Sequence, residues 1–108
     1  MTFMPRVLGQ SAPAATVQAD LYTCATTSAV ISTLNICNFS GAQDTFSVRV
    51  CVGGAADSDK QYVFANVPIA ANTTVPYTSG ITLADTDVIK VVSTNGNCAF
   101  NAWGQENS

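Results

Sequence analysis

The stretch TFSVRVCV (residues 45–52) alternates large apolar side chains with other residues without a break. Successive side chains of a β-strand point to opposite sides, so this alternation predicts a strand with one buried face. The apolar face consists of Phe46, Val48, Val50 and Val52. Such a strand needs neighbours that cover the same face, so the flanking sequence decides which fold it belongs to.

The segment before it, SAVISTLNICN (residues 28–38), repeats the alternation. Its apolar positions are Val30, Leu34 and Ile36. The connection FSGAQD contains Gly and polar residues, which is typical of a hairpin loop. Pairing Ile36 with Val48 and Leu34 with Val50 would place the large residues on one side, so we expect a hairpin in that register.

Short apolar segments separated by turn residues continue to the C-terminus. Residues 87–94 and 97–104 are expected to form a last hairpin across NGN, because Asn and Gly both tolerate positive φ. No helical periodicity longer than a turn is present, and β-branched residues dominate. The pattern predicts an all-β fold, a small antiparallel β-sandwich or jelly-roll-like domain of about seven or eight short strands over residues 20–108.

Residues 1–19 lack sustained periodicity and are expected to form an extended N-terminal arm, in which a short strand is possible at its apolar positions. These isolated apolar anchors are Phe3, Met4, Val7 and Leu8. An arm of this kind either lies across a neighbouring subunit by strand addition or stays a loose tail. The segment also lacks the apolar core of a signal peptide, so we expect synthesis in a cytoplasm.

The chain carries few charges, only 10% of its residues, whereas Thr, Ser, Asn and Gln make up 35 of the 108. A surface with few charges does little to keep copies apart, which favours assembly and a homo-oligomer. The four basic residues, Arg6, Arg49, Lys60 and Lys90, are scattered, which argues against nucleic-acid binding. No run of 18 apolar residues is present, so no membrane partner is expected.

The sequence contains no His, which excludes Ser-His and Cys-His nucleophile pairs. Nothing in the sequence marks a Ser-Lys dyad, and a small sandwich offers little cleft for a catalytic carboxylate pair. We therefore expect no enzyme activity, no catalytic residues, no metal site and no cofactor. The cysteines, Cys24, Cys37, Cys51 and Cys98, follow no CxxC spacing. Free buried thiols are the favoured interpretation for a cytosolic protein, with a disulfide or an all-Cys metal site as the alternatives.

Two pairs of acids, Asp57 with Asp59 and Asp85 with Asp87, have two interpretations. In the first interpretation they are turn residues whose side chains accept hydrogen bonds from the nearby backbone. In the second they are part of a cation site, although no full set of oxygen ligands is evident. The strand after Asp87 has apolar residues on both sides, which suits a strand covered by the core and by a partner. Ile89 and Val91 of this strand, with Trp103, complete the candidate interface.

Longer segments resemble a family of small virion proteins of tailed bacteriophages. The resemblance is carried by VLGQSAPAA, TFSVRVCVGGAA, KQYVFANVPIAANTTV and GITLADTDVIKVVSTNGNCAFNAWGQE. It implies a β-sandwich structural protein, a capsid cement or decoration subunit that binds the major capsid protein lattice or other virion proteins at the capsid surface. The departures are Trp103, where the family pattern has Phe, and the additional cysteines Cys24, Cys51 and Cys98.

Two alternatives remain open at this point. The first is a tail, neck or fibre-associated structural protein of the same virion class. The second is a carbohydrate-binding module, because the aromatic residues would form a sugar-stacking surface if they met on one flat face. These aromatic residues are Tyr22, Tyr62, Phe64, Tyr77, Phe100 and Trp103.

Overall fold

The computed structural model describes residues 3–78 and 80–107, with the side chains of all of these except Phe3. Within them the chain is all-β, as predicted, with nine strands and two short 3-10 turns. The strands are β1 (Phe3–Ser11), β2 (Ala19–Thr23), β3 (Ser28–Asn38), β4 (Asp44–Cys51), β5 (Tyr62–Ile69), β6 (Thr74–Tyr77), β7 (Ile81–Ala84), β8 (Val88–Ser93) and β9 (Cys98–Asn107). The 3-10 turns span Val52–Gly54 and Asp59–Gln61.

The strands form two antiparallel sheets that pack face to face as a β-sandwich. The first is a five-stranded sheet in the order β1-β9-β3, with β6 and β7 both paired to β3. The second is a four-stranded sheet in the order β2-β8-β4-β5. The sandwich confirms the predicted fold class, and the count exceeds the expected seven or eight by one because β1 lies in the region predicted to be an arm.

The core lies between the sheets and is closed by large side chains from both. Phe46 of β4 contacts Phe100 of β9 edge to face across the sandwich, with ring centroids 6.3 Å apart. Leu34, Ile36 and Val48 are fully buried around this pair. The alternation that predicted a buried face in β3 and β4 therefore identified the centre of the core.

The predicted N-terminal arm needs a correction at residues 3–11. They are extended, but they pair along β9 of the same chain, from Phe3 opposite Asn107 to Ser11 opposite Phe100. Leu8 packs against the core, and Gly9 lies against the backbone of Leu21 in β2. Because the strand has these partners within its own domain, it is an edge strand of the sandwich and does not reach across a neighbour.

The predicted hairpin between β3 and β4 is wrong. The two strands lie in different sheets, so Ile36 and Val48 face each other through the core and are not ladder neighbours. The alternating pattern establishes which side chains point inward, and two strands that face each other across a sandwich satisfy it as well as two strands side by side. The connection from residue 39 to 43 is therefore an arch between the sheets.

The predicted hairpin across NGN is wrong for a different reason. β8 belongs to the four-stranded sheet and β9 to the five-stranded sheet, so this connection is a second arch. A tight two-residue hairpin of type I′ needs positive φ at both central residues. Here Gly96 has a φ of 73°, whereas Asn95 is not among the residues with positive φ.

Each arch is held by one buried polar side chain. The Asn38 amide donates to the carbonyl oxygens of Ala42 and Ile69, at 2.8 and 3.2 Å, and its oxygen accepts from the Ser40 N–H at 3.0 Å. The Asp44 carboxylate performs the same task for the arch between β8 and β9. Both side chains are essentially inaccessible to solvent, so their hydrogen bonds replace the water that they lose.

The Asp44 carboxylate accepts hydrogen bonds on both oxygens. Oδ1 accepts from the N–H groups of Thr45 and Asn95, at 2.7 and 2.9 Å. Oδ2 accepts from the Asn97 N–H at 3.1 Å and from the Cys98 thiol at 3.6 Å. Burial alone would raise the pKa of Asp44, but these donors together outweigh burial and lower its pKa below the ordinary value.

A bulge in β3 changes which residues of that strand point inward. The register with β9 shifts between Ile31 and Thr33, so Ile31 is buried and Val30 faces outward, contrary to the alternation predicted for Val30. Val52, predicted on the buried face of β4, is 72% exposed because the strand ends at Cys51. Both errors arise where a strand stops being regular.

All four cysteines are free thiols, and Cys24, Cys51 and Cys98 are buried. Burial raises the pKa of the Cys98 thiol to about 12, and the neighbouring Asp44 carboxylate is the second cause. Half-buried Cys37 is the accessible thiol.

We expect a thiol reagent such as DTNB to modify one cysteine of the native protein, Cys37, and all four after unfolding, because thiolate formation and access control the reaction. Two or more equivalents that react rapidly under native conditions would contradict this burial.

Candidate functional site

The outer face of the five-stranded sheet consists of rows of side chains that cross β1, β9 and β3, and we call it the neutral face. One row is Pro5, Gln105, Val30 and Thr82, the next is Val7, Trp103 and Thr33, and the third is Gln10, Asn101, Asn35 and Pro76. None of these residues is Asp, Glu, Lys or Arg. One broad surface of this sandwich therefore presents only apolar and uncharged polar groups.

Trp103 and Val7 form the apolar centre of the neutral face. They are directly opposite each other on β9 and β1 and are 36% and 57% exposed. Exposed aromatic and aliphatic neighbours of this kind are typical anchors of protein interfaces. Gln10 donates to Asn101 Oδ1 at 2.9 Å in the adjacent row, so amide groups flank the apolar pair on one side.

A depression of about 280 Å³ lies on the other side of Trp103. Pro5, Val30, Ser32, Gly104 and Gln105 line it. The β3 bulge shapes this region, because the Ser32 hydroxyl donates to the Trp103 carbonyl oxygen at 3.1 Å. At this size the depression accommodates a single ring and falls just below the usual range of small-molecule sites, about 300–1,000 Å³.

The free edge of β1, next to the neutral face, is protected against pairing with another strand. Pro5 has no N–H to donate, and the register with β9 shifts between Val7 and Gly9, which is a bulge. Arg6 forms an ion pair with buried Glu106, so a charged side chain anchors the edge to the domain. Proline, bulges and inward-pointing charges are the devices by which sheet edges avoid pairing. Pairing of another strand along this edge is therefore unfavourable.

Buried Glu106 of β9 contacts Arg6 of β1 in its own sheet and Tyr22 of β2 in the other sheet. Its Oε2 accepts a hydrogen bond of 2.5 Å from the Tyr22 hydroxyl of β2, and Arg6 of β1 contacts its other oxygen. Burial raises the pKa of Tyr22, and the hydrogen bond to Glu106 raises it further. The Tyr22 hydroxyl thus stays protonated as a donor, and this network positions the strand that carries Val7.

The outer face of the four-stranded sheet has the opposite character. Asp20, Lys90, Arg49 and Tyr62 form one row across it. The segment between β4 and β5 folds over this sheet, and its Asp57 lies 3.8 Å from Arg49 and 3.7 Å from Lys90. The Arg49 guanidinium also stacks on the Tyr62 ring, 4.2 Å from its centroid. The charges of the four-stranded sheet thus neutralise one another.

The predicted interface residues lie in different environments. Val7 and Trp103 meet on the neutral face, Met4 is half-buried on β1, and Leu8 packs on the core. The side chain of Phe3 lies outside the described residues. Ile89 and Val91 are fully buried in the core, so their assignment to the interface is wrong.

The sequence predicts that β8 is covered on one side by the core and on the other side by a partner. In the structure a loop of this chain covers the second side. Val88 and Cys51 point away from the core but are buried. The turn after β4 lies over them, since a Cβ added at Gly54 would be 3.9 Å from Val88. A pattern with apolar residues on both sides of a strand indicates two covers but does not say whether the second one is a partner or a loop.

The turn interpretation of Asp87 is confirmed. Its Oδ2 accepts from the Ala84 N–H at 2.9 Å and its Oδ1 from the Gly53 N–H at 2.8 Å, so it closes the β7–β8 connection. Asp57 serves in the cluster with Arg49 and Lys90. Across residues 3–78 and 80–107, no three His, Cys, Asp or Glu side chains meet in a geometry that would hold a metal ion.

The sugar-stacking arrangement of aromatic residues does not form. Tyr22 and Phe100 are buried, and Phe64 packs edge to face against both Phe46 and Tyr77. Trp103 is the one member of that group on the neutral face.

The sequence analysis did not identify the residues that surround Trp103 on the neutral face, which are Pro5, Val30, Ser32 and Gln105. Their shared signal is the lack of charge at outward positions, which becomes visible only once the β3 bulge fixes the register.

No protein-family model matches the chain, and no curated protein or solved structure matches it either. In the part of the chain that the structure describes, no helix is both long and apolar enough to cross a membrane. The resemblance to phage virion proteins therefore stays a hypothesis drawn from the sequence.

Proposed function

We propose that this chain is a structural subunit of a bacteriophage virion, a capsid decoration protein that binds the assembled coat-protein lattice and stabilises the shell. The observation that supports a structural subunit most directly is the neutral face, with Val7 and Trp103 exposed at its centre. Such a surface is suited to being covered by protein, because burying it strands no charge. The sequence resemblance supports the virion as the setting.

A decoration subunit acts by mass action in this proposal. It binds the assembled lattice and not the dissociated coat protein, so each bound copy lowers the free energy of the assembled state. Many copies in a symmetric array add small contributions, and no single contact has to be tight. Rigidity suits this role, and the paired strands and buried arches of the sandwich provide it.

The test is the copy number in purified virions, measured by quantitative mass spectrometry. On the order of hundreds of copies per particle supports shell decoration, whereas about six or twelve copies would indicate a tail or neck component at one vertex. Absence from virions overturns the proposal. Re-addition of the purified protein to particles that lack it should raise the temperature at which they release their genome.

A carbohydrate-binding module is the candidate function of a different class. The observation in its favour is exposed Trp103 beside the amide groups of Gln10 and Asn101, since an aromatic ring with neighbouring amides suits a sugar. A glycan array separates the two functions. Saturable glycan binding that Trp103→Ala abolishes, in a protein that does not bind virions, would replace the structural proposal.

A further inference from the structure

The neutral face carries an exposed aromatic side chain and a depression side by side. Trp103 of β9 is 36% exposed, and the depression lined by Pro5, Val30 and Gln105 lies in the adjacent row. In a two-fold dimer the same surface of both copies forms the contact. If one residue of the first copy contacts a second residue of its partner, the reverse contact also forms. A two-fold rotation that brings two neutral faces together can therefore place the aromatic side chain of each copy against the depression of the other. One surface of the chain therefore carries both halves of a self-complementary contact.

From this we infer that the neutral face binds a second copy of this chain, in a two-fold dimer in which Trp103 of each copy enters the depression of the other. The inference rests on the proposed function in one respect, that the neutral face is covered by protein in the assembled particle. It goes beyond that function by naming the partner and the contact.

Charge supports a second copy as the partner. A partner with charged groups at the contact would lose their hydration and find no opposite charge on the neutral face, which is costly. A second neutral face has no such groups. The charged row on the other sheet is less suited to self-association, because Arg49 and Lys90 already have Asp57 as their partner within the chain, and a contact would remove the hydration of these groups without providing new partners.

The size of the surface also fits. The molecule measures 45 × 27 × 21 Å, and the neutral face extends across β1, β9 and β3, strands of 9, 10 and 11 residues. A standard interface buries about 800 Å² on each partner, which a face of these dimensions supplies. The protected edge of β1 makes side-by-side joining of sheets at that edge unfavourable.

Sedimentation velocity of the full chain, between about 1 μM and 1 mM, tests the inference over the range of a weak to moderate interface. We expect a monomer–dimer equilibrium in the wild type. Val7→Lys should raise the dissociation constant on the order of 100-fold, because each dimer would bury two unpaired ammonium groups. The matched control is Val52→Lys, the same substitution at an exposed valine away from the neutral face, which should leave the equilibrium unchanged.

Trp103 is the only tryptophan of the chain and reports on the contact directly. Its emission should shift to the blue as the wild-type concentration rises, and Val7→Lys should abolish this shift. Gln105→Lys, on the rim of the depression, is a second variant with the same expected effect in case Val7→Lys does not fold. A wild type that stays monomeric up to the highest concentration, or a dimer that Val7→Lys and Val52→Lys affect equally, overturns the inference.

The two proposals fail in distinguishable ways. A monomer that is nevertheless found in virions contradicts the dimer and leaves the structural function standing. A dimer that is absent from virions contradicts the function and leaves the self-complementary face standing.

Discussion

Gly104→Ala is expected to destabilise the protein by about 3 kcal/mol or more, the largest effect of any single methyl addition at a described glycine. A Cβ at this position would lie 1.9 Å from the carbonyl oxygen of Val30 and 2.9 Å from the nitrogen of Ser32. Both atoms belong to the backbone of β3, so no side chain can rotate away. Relief requires β3 and β9 to separate at the centre of the five-stranded sheet.

Thermal and urea denaturation measure this effect. For a domain of this size, each kcal/mol corresponds to roughly 4–8 °C in the melting temperature, so a loss of at least about 12 °C is expected. Gly41→Ala is the matched control, because a Cβ there meets nothing within 4 Å and Gly41 has no positive φ. It should be neutral or slightly stabilising. A Gly104→Ala protein that melts within about 3 °C of the wild type would contradict the close approach of the two strands.

Gly9, at the side of the sandwich, is a second position that has no room for a Cβ. Its added Cβ would lie 2.2 Å from the carbonyl oxygen of Leu21, where β1 of one sheet meets β2 of the other. The glycine lets the two backbones approach within the distance that a side chain would occupy. The short motif VLGQ therefore has a packing reason, and it explains why the predicted arm is part of the domain.

The sequence predicted the fold class and most of the core because both depend on side-chain direction alone. Alternation identified Leu34, Ile36, Phe46 and Val48 as inward-facing, and all four are buried. It could not say which strands are neighbours, since inward-facing residues meet across a sandwich as readily as along a sheet. Both predicted hairpins were wrong for this reason.

The neutral face was predicted only in part for a related reason. Val7 and Trp103 are 96 positions apart in sequence, and their pairing depends on β1 lying beside β9. The single residue added by the Ser32 bulge decides whether Val30 or Ile31 faces outward. Ile89 and Val91 were misassigned because the sequence shows that both sides of a strand are covered but not which side is the core. Pairing and register are long-range properties that local periodicity does not encode.

Asp44→Ala is expected to lower the free energy of unfolding by about 3 kcal/mol, since it removes the acceptor of three backbone N–H groups, those of Asn95 and Asn97 in the β8–β9 arch and that of Thr45 in β4. Asp44→Asn keeps one acceptor oxygen and should cost about half as much. Asp59→Ala is the control, because Asp59 is an exposed aspartate that forms neither an ion pair nor an arch contact among the described residues. Urea denaturation of the three variants at neutral pH measures the differences.

The dependence on pH gives the same prediction a second, independent measurement. The folded-state pKa of Asp44 lies below its unfolded value of about 3.9, so its stabilisation is complete at neutral pH and is lost as the pH falls through the folded-state pKa. The stability difference between wild type and Asp44→Ala should therefore be constant from about pH 6 to 8 and shrink below about pH 4. A difference that stays the same down to about pH 2.5, or that widens on acidification, would mean that the arch does not depend on the ionised carboxylate. The protonated side chain would then hold the arch at least as well as the ionised one, and the charge of Asp44 would contribute nothing to stability.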